Sequence, residues 1–257
     1  MTTTTIMMLM LVLVLAMTTG MVATATDNDQ CPQGDAPINS CCCLGFNNTT
    51  SFNKRRPGVY TISNFCGNKC HYIQAYCDTI TSDGGWLVVQ RRQNGAEDFN
   101  RLWWEYEDGF GDLSNEFWYG LKALHCLTGD GGWEMLIDIR LANNSKMLLK
   151  YDQFIVGSSE SNYKLSISEL QGFSNDPMAT HNEMLFTTKD HDHDYWPRNC
   201  AVMARGRASP AGGWWHRSCY HANPNIFYNN TYGIYLNDEW HAMPFVEMKI
   251  RPRNCLI

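Results

Sequence analysis

The run Asp190-His191-Asp192-His193-Asp194-Tyr195-Trp196-Pro197-Arg198-Asn199-Cys200 alternates carboxylates with other residues and then turns irregular. A hard cation collects about six to eight oxygens from such a loop, carboxylates and main-chain carbonyls together, so the chemistry this spacing suits is calcium binding. His191 and His193 open a second reading, a zinc or copper site completed by an aspartate, because imidazole suits those ions. A third reading is a solvated polar loop. Downstream, Trp214-Trp215-His216-Arg217-Ser218-Cys219 brings aromatic and polar groups up to a second cysteine. No Gly-x-Ser-x-Gly elbow, His-Glu-x-x-His pair or phosphate-binding glycine loop occurs in the sequence, and no enzymatic activity is expected.

The elements that must position this loop read mainly as strands. Val59-Tyr60-Thr61-Ile62 alternates, and Trp86 to Arg91 follows the turn residues Asp83-Gly84-Gly85. Asn115 to His125 carries apolar groups at helical spacing, which predicts a short helix. Trp133 to Arg140, Lys146 to Tyr151, Asn162 to Ile167 and Phe245 to Arg251 return to strand patterning. Trp86, Trp103, Trp118 and Trp133 sit inside these patterns and are read as core, whereas Trp214 and Trp215 flank the candidate site.

At 257 residues, 44% hydrophobic and 18% charged, the chain has the profile of a folded globule. Its formal charge of -6 opposes binding to nucleic acid or anionic lipid, both of which need a basic surface. The apolar block Ile6 to Met17 followed by Ala23-Thr24-Ala25 reads as a cleaved signal peptide over residues 1–25. That block falls short of the ~20 apolar residues needed to span a bilayer, so secretion without membrane insertion is expected. A short polar segment, 26–40, precedes a single domain over 41–257.

Eleven cysteines fit an oxidising compartment. Cys66 and Cys70 bound a tight loop able to close on itself, while Cys31, the triplet Cys41-Cys42-Cys43, Cys126 and Cys255 have no obvious partners within one domain. The odd count points to a thiol that is free or links chains. Asn47, Asn48, Asn143 and Asn229 each begin an Asn-x-Ser/Thr triplet, the acceptor pattern for glycosylation in a secreted chain.

Ordered motifs run through most of the domain: Pro57-Gly58-Val59-Tyr60-Thr61-Ile62, Tyr76-Cys77-Asp78, Asp83-Gly84-Gly85-Trp86, Gln90-Arg91-Arg92, Phe99-Asn100-Arg101-Leu102-Trp103, Glu116-Phe117-Trp118-Tyr119-Gly120, Phe186-Thr187-Thr188-Lys189-Asp190, Asn199-Cys200-Ala201 and Glu247-Met248-Lys249-Ile250-Arg251-Pro252. In these the chain resembles the fibrinogen C-terminal-like domain family, which includes ficolins, tachylectins, angiopoietins and tenascins. The resemblance implies an α+β fold: a central twisted antiparallel sheet, short helices, and a loop-rich C-terminal subdomain holding calcium and ligand. It implies bridges Cys200–Cys219 and Cys77 to Cys42 or Cys43, the latter preferred. It also assigns Ca2+ to the carboxylates of Asp192 and Asp194 and the main-chain carbonyls of Trp196 and Arg198, with the histidines as spacers.

In the ficolin and tachylectin branch that the chain resembles, the calcium loop supports an acetyl-binding pocket next to a cis peptide, here Ser218-Cys219. The ligand-binding residues implied are Trp215, Ser218, Cys219, Tyr220 and Tyr232, with Tyr235 as a further candidate. The chain departs from that pattern at Tyr220, normally histidine, at Ala204, normally aromatic, and in an insertion over Arg205 to Gly212. The function implied is a secreted, calcium-dependent, lectin-like protein of innate defence. It would bind acetylated or otherwise decorated glycans or glycoproteins on microbial or cell surfaces, as a disulfide-linked or non-covalent homo-oligomer. The alternative is a protein-binding matrix component or angiopoietin-like receptor ligand.

Overall fold

The computed structural model of the chain describes residues 56–66, 69–168, 170, 175–202, 211–228, 230 and 233–253, apart from the side chains of 63–72. The signal peptide, the 26–40 segment, Cys31, Cys41 to Cys43, Asn47, Asn48, Ala204, Asn229, Tyr232, Cys255 and the Cys66 and Cys70 side chains lie outside them.

The hairpin of β1 (Gly58–Cys66) and β2 (Lys69–Asp78) opens the fold. Its register opposes Cys66 to Lys69 and Cys70 to Phe65. After β2, the Asp78 carboxylate accepts from Ile80 N and Thr81 N, and Gly84 turns the chain with a φ of 74°. A Cβ there would stand 2.5 Å from the Thr79 carbonyl oxygen, which only glycine avoids.

β3 (Trp86–Arg92) is buried along its whole length because β2, β5 (Phe117–Trp118) and β12 (Phe245–Pro252) all pair with it. The main path of the sheet is β1-β2-β3-β12-β6-β7, with β6 at Trp133–Arg140 and β7 at Lys146–Tyr151. β4 (Phe110–Gly111) joins through β5. Alternate residues of β12 face opposite ways. Val246, Met248 and Ile250 enter the hydrophobic core, while Glu247, Lys249 and Arg251 form part of a buried charged row.

The helix expected over Asn115 to His125 is corrected. Phe117–Trp118 is strand, and the helix, α2, runs Leu121–Thr128; α1 is Trp103–Asp108. The apolar spacing at 117, 118, 121 and 124 merged two elements, and the break falls at Gly120, whose φ of 103° is not helical. The strand expected over Asn162 to Ile167 shrinks to β9 (Leu165–Ile167), paired with β8 (Phe154–Val156), because Asn162 and Tyr163 take positive φ. Among the described residues, the long stretch between β9 and β12 is loop-dominated and carries one short hairpin, β10 (Ile234–Leu236) with β11 (Glu239–His241).

Candidate ion and ligand site

The acidic loop begins where Thr187 and Trp214 exchange main-chain hydrogen bonds of 2.9 and 3.0 Å. Asp190 then ties it to α1, its Oδ1 accepting from Thr188 Oγ1 at 2.7 Å and from Trp103 N at 2.9 Å. Burial would raise the Asp190 carboxyl, but these donors hold it below the usual carboxylate range. His191 stacks on the Trp103 ring at 4.9 Å, and His193 meets the same ring edge-on at 5.2 Å with its Nδ1 bonded to the Phe186 carbonyl at 2.7 Å. Among the described residues no three of His, Cys, Asp and Glu form a metal-holding group.

Asp192 and Asp194 sit differently. Asp194 is half-buried, with Oδ1 accepting from Trp196 N and Oδ2 from Cys200 N, each at 2.8 Å. Burial pushes its carboxyl up to about 6 against these bonds, and Asp192 adds to the rise. Among the described residues neither carboxylate pairs with a base. Two unneutralised carboxylates in a loop with main-chain carbonyls make an all-oxygen donor set, which suits a hard divalent cation.

The loop is joined directly to the second cysteine. Tyr195 N donates to Arg217 O at 2.8 Å, Arg217 N donates to Cys219 O at 2.8 Å, and Cys200 and Cys219 form a disulfide with Cα atoms 5.4 Å apart. The Ser218-Cys219 peptide is cis. His181 holds the segment from behind. Its Nε2 accepts from His221 N at 3.3 Å and Ala222 N at 3.2 Å, so the proton rests on Nδ1, which donates to Trp215 O at 2.8 Å. Burial lowers the His181 imidazole to about 3. The sheet and α1 supply the remaining anchors. Gln90 Nε2 donates to Pro224 O and Asn225 Oδ1, Asn225 Nδ2 donates to Gly213 O, and Gly213 N donates to the Tyr106 hydroxyl.

The expected pocket residues separate in this arrangement. Trp215 is fully buried, packed on Trp118, Phe154 and Phe186, with its indole N–H donated to Tyr163 O at 2.7 Å. Trp215 is therefore corrected from ligand wall to core, because neither face of its ring reaches solvent. Cys219 and Tyr220 are 9% and 5% exposed, so they back the surface rather than form it. Ser218 is exposed, as are Arg217 and His221. Tyr220 meets Trp240 edge-on at 5.8 Å, Trp240 packs on Tyr235 at 5.2 Å, and His221 lies 5.6 Å from Tyr235. Tyr195, in the acidic loop itself, is 68% exposed.

Trp240, His221 and Tyr195 were not singled out by sequence. The signal for Trp240 was the Asn237-Asp238 turn, both residues at positive φ, which closes β10 on β11 and pairs Tyr235 with Trp240. Cys77 and Cys126 are both disulfide-bonded, which corrects the view of Cys126 as lacking a partner. Asn143 is exposed in the β6–β7 turn, its Oδ1 accepting from Ser145 N and Oγ.

Comparison with known proteins agrees with this geometry. The family described as fibrinogen beta and gamma chains, C-terminal globular domain, matches residues 47–253. The chain is 41% identical over 203 residues to tenascin-R of Gallus gallus, covering 77% of this chain and 14% of that protein's length. It is 37% identical over 212 residues to human fibrinogen C domain-containing protein 1, covering 76% of this chain and 44% of that one. The solved fibrinogen-like globe domain of human ANGPTL2 superposes with a TM-score of 0.71 at 29% identity, covering 85% of this chain and all (100%) of that one. Thus the chain spans a minor part of these curated relatives and the whole of a solved globe domain. With its sheet, its cysteine-bridged loop and its acidic run arranged in this way, the chain belongs to the fibrinogen C-terminal globular domain family.

Proposed function

We propose that this domain is an extracellular, non-enzymatic recognition module that binds acetylated or otherwise decorated glycans in a calcium-dependent manner. The observation that carries the reading is the 2.8 Å hydrogen bond from Tyr195 N to Arg217 O, which couples the acidic loop to the exposed rim beside the disulfide. Asp192 and Asp194 would hold the ion through their carboxylates, with the Trp196 and Arg198 carbonyls completing the protein ligands. The bound ion supplies positive charge that offsets the two carboxylates and stiffens the loop. So few charged ligands imply a dissociation constant of about 10⁻⁴–10⁻³ M.

Trp240 and Tyr235, backed by the buried Tyr220 and with the exposed His221 at their edge, form the surface on which a sugar or its acetyl group would pack. A shallow site of this kind binds weakly alone. Linking several copies, through Cys31 or the Cys41 to Cys43 triplet, would raise the effective concentration at a decorated surface. The test is a glycan array probed with the full chain in calcium and again with chelator. Binding that is lost with chelator and competed by N-acetyl sugars is expected. Binding to cell-surface protein that survives glycan removal, with no glycan bound on the array, would replace this reading with a protein-receptor one.

A further inference from the structure

Phe227 is 67% exposed, yet the chain on either side of it is firmly held. Before it, Ile226 is buried, Asn223 Nδ2 donates to Ala211 O at 2.7 Å, and Asn225 Nδ2 donates to Gly213 O at 2.8 Å. After it, the Tyr228 hydroxyl donates to Gln93 O at 2.9 Å, and the Tyr228 ring lies so close to Gly95 that a Cβ there would stand 2.6 Å from it. Tyr228 is thus turned inward and Phe227 outward on a fixed stretch of loop. Asn230 N then donates to Phe227 O at 3.1 Å, closing a turn. Phe227, Tyr228 and Asn230 also line one open cleft, together with Ile226 and Met243.

An exposed ring alone asks for no explanation. The sequence around this one supplies it. Phe227 stands two residues before Asn229, which with Asn230 and Thr231 forms an Asn-x-Thr acceptor triplet. The turn bond brings the residue after that acceptor back to the residue carrying the ring. We infer that Asn229 carries an N-linked glycan whose first sugar rests on the outer face of Phe227. An N-acetylglucosamine offers a C–H face to a flat apolar ring, and its acetamido methyl suits the cleft alongside. In the transfer, the Asn229 side-chain nitrogen bonds to the anomeric carbon of a lipid diphosphate-linked oligosaccharide. The bond from that carbon to the diphosphate oxygen breaks, the lipid diphosphate leaves with the electron pair, and the amide proton passes to a base of the oligosaccharyltransferase. Asn143 gives the contrast, because the residue two before it, Leu141, is buried and offers no ring to a glycan. The inference is independent of calcium-dependent recognition, and it closes the Phe227 face to protein partners.

The experiment uses the full chain secreted by eukaryotic cells. Glycopeptide mass spectrometry should find Asn229 occupied. Trimming with an endoglycosidase that leaves one N-acetylglucosamine should keep the thermal midpoint, whereas Thr231→Ala, which removes the acceptor signal, should lower it by about 2–4 °C. Thr231→Ser keeps the signal and should keep the midpoint. Phe227→Ala should lower the glycosylated parent by a similar amount and leave the Thr231→Ala chain unchanged, because the ring acts only through the sugar. Asn143→Gln should leave the midpoint in place. An unoccupied Asn229 overturns the inference, and so does a glycan effect of the same size with and without the Phe227 ring. Loss of the midpoint shift on trimming to one sugar, or an Asn143→Gln loss as large as that of Thr231→Ala, would also overturn it, since the glycan would then act through something other than its first sugar on this ring. Binding on the glycan array is judged apart from these outcomes.

Discussion

The sheet and the cysteine-bridged loops are both dense in charge, and they treat it in opposite ways. On the sheet, Lys249 is 1% exposed and lies against three carboxylates, with Nζ 2.5 Å from Asp78, 3.1 Å from Asp138 and 2.8 Å from Glu247. Arg251 pairs with Glu134 and covers the Trp86 ring at 4.1 Å, while Arg91 pairs with Glu247 and lies 4.0 Å from the Tyr76 ring centre. In the loops, Asp192 and Asp194 have no cation and Arg198 and Arg217 have no anion among the described residues. Buried charge without a partner is too costly to keep, so the sheet must be internally neutralised. Exposed charge stays hydrated and so tolerates having no partner in the fold.

The most severe way to break the sheet side is Lys249→Met. Three carboxylates would lose their shared cation, and denaturant unfolding should report a loss of roughly 3–5 kcal/mol. A change below ~1 kcal/mol would mean that water reaches this row.

Acid separates the two regions further. Burial, opposed and overcome by Lys249, leaves the Asp78 carboxyl held down at about 2, so its contribution is present above pH ~4 and fades only as pH falls towards 2. His181 and His216, on the loop side, are lowered by burial to about 3 and about 4. The unfolded chain takes up these protons near pH 6.5 and the fold refuses them, so stability falls as pH drops from about 6.5 towards 4. Each histidine should cost about 2 kcal/mol between pH 7 and pH 5, measured by denaturation at both values. A flat profile across that window would show that both imidazoles reach solvent.

Calcium should act on the loops alone. At ten times its dissociation constant, the ion should stabilise the chain by about 1.4 kcal/mol. Asp192→Asn with Asp194→Asn should abolish that gain in a thermal-shift titration. Lys249→Met should lower the baseline and leave the gain itself intact. The smallest effect is expected at Arg217→Gln, which removes an exposed, unpaired side chain. Its unfolding free energy should stay within ~0.5 kcal/mol of the parent, and a larger loss would reveal a structural partner.

Some of this was legible in the residues. The turn Asp83-Gly84-Gly85 before Trp86, the alternation of Phe245 to Arg251 and the acids spaced through Asp190 to Asp194 each carry a local signal, of turn chemistry, strand period or oxygen donors. The boundary at Gly120 was not readable, since the apolar spacing over Phe117 to Leu124 satisfies a helix as well as a strand followed by a helix. Trp215 was misread for a related reason. An aromatic residue next to a predicted site looks the same in sequence whether it faces ligand or core. Only the packing of Phe154, Phe186 and Trp118 around it assigns it to the interior.

The sequence by itself determined the sheet's main strands, the family and the oxygen-rich loop, because these depend on period, motif order and residue type along the chain. The tertiary structure alone decided that Tyr195 bonds to Arg217, that His181 clamps the segment before Ala222, and that Trp240 meets Tyr220. Those contacts join residues distant in the chain, and distance along a sequence carries no information about which loops share a surface.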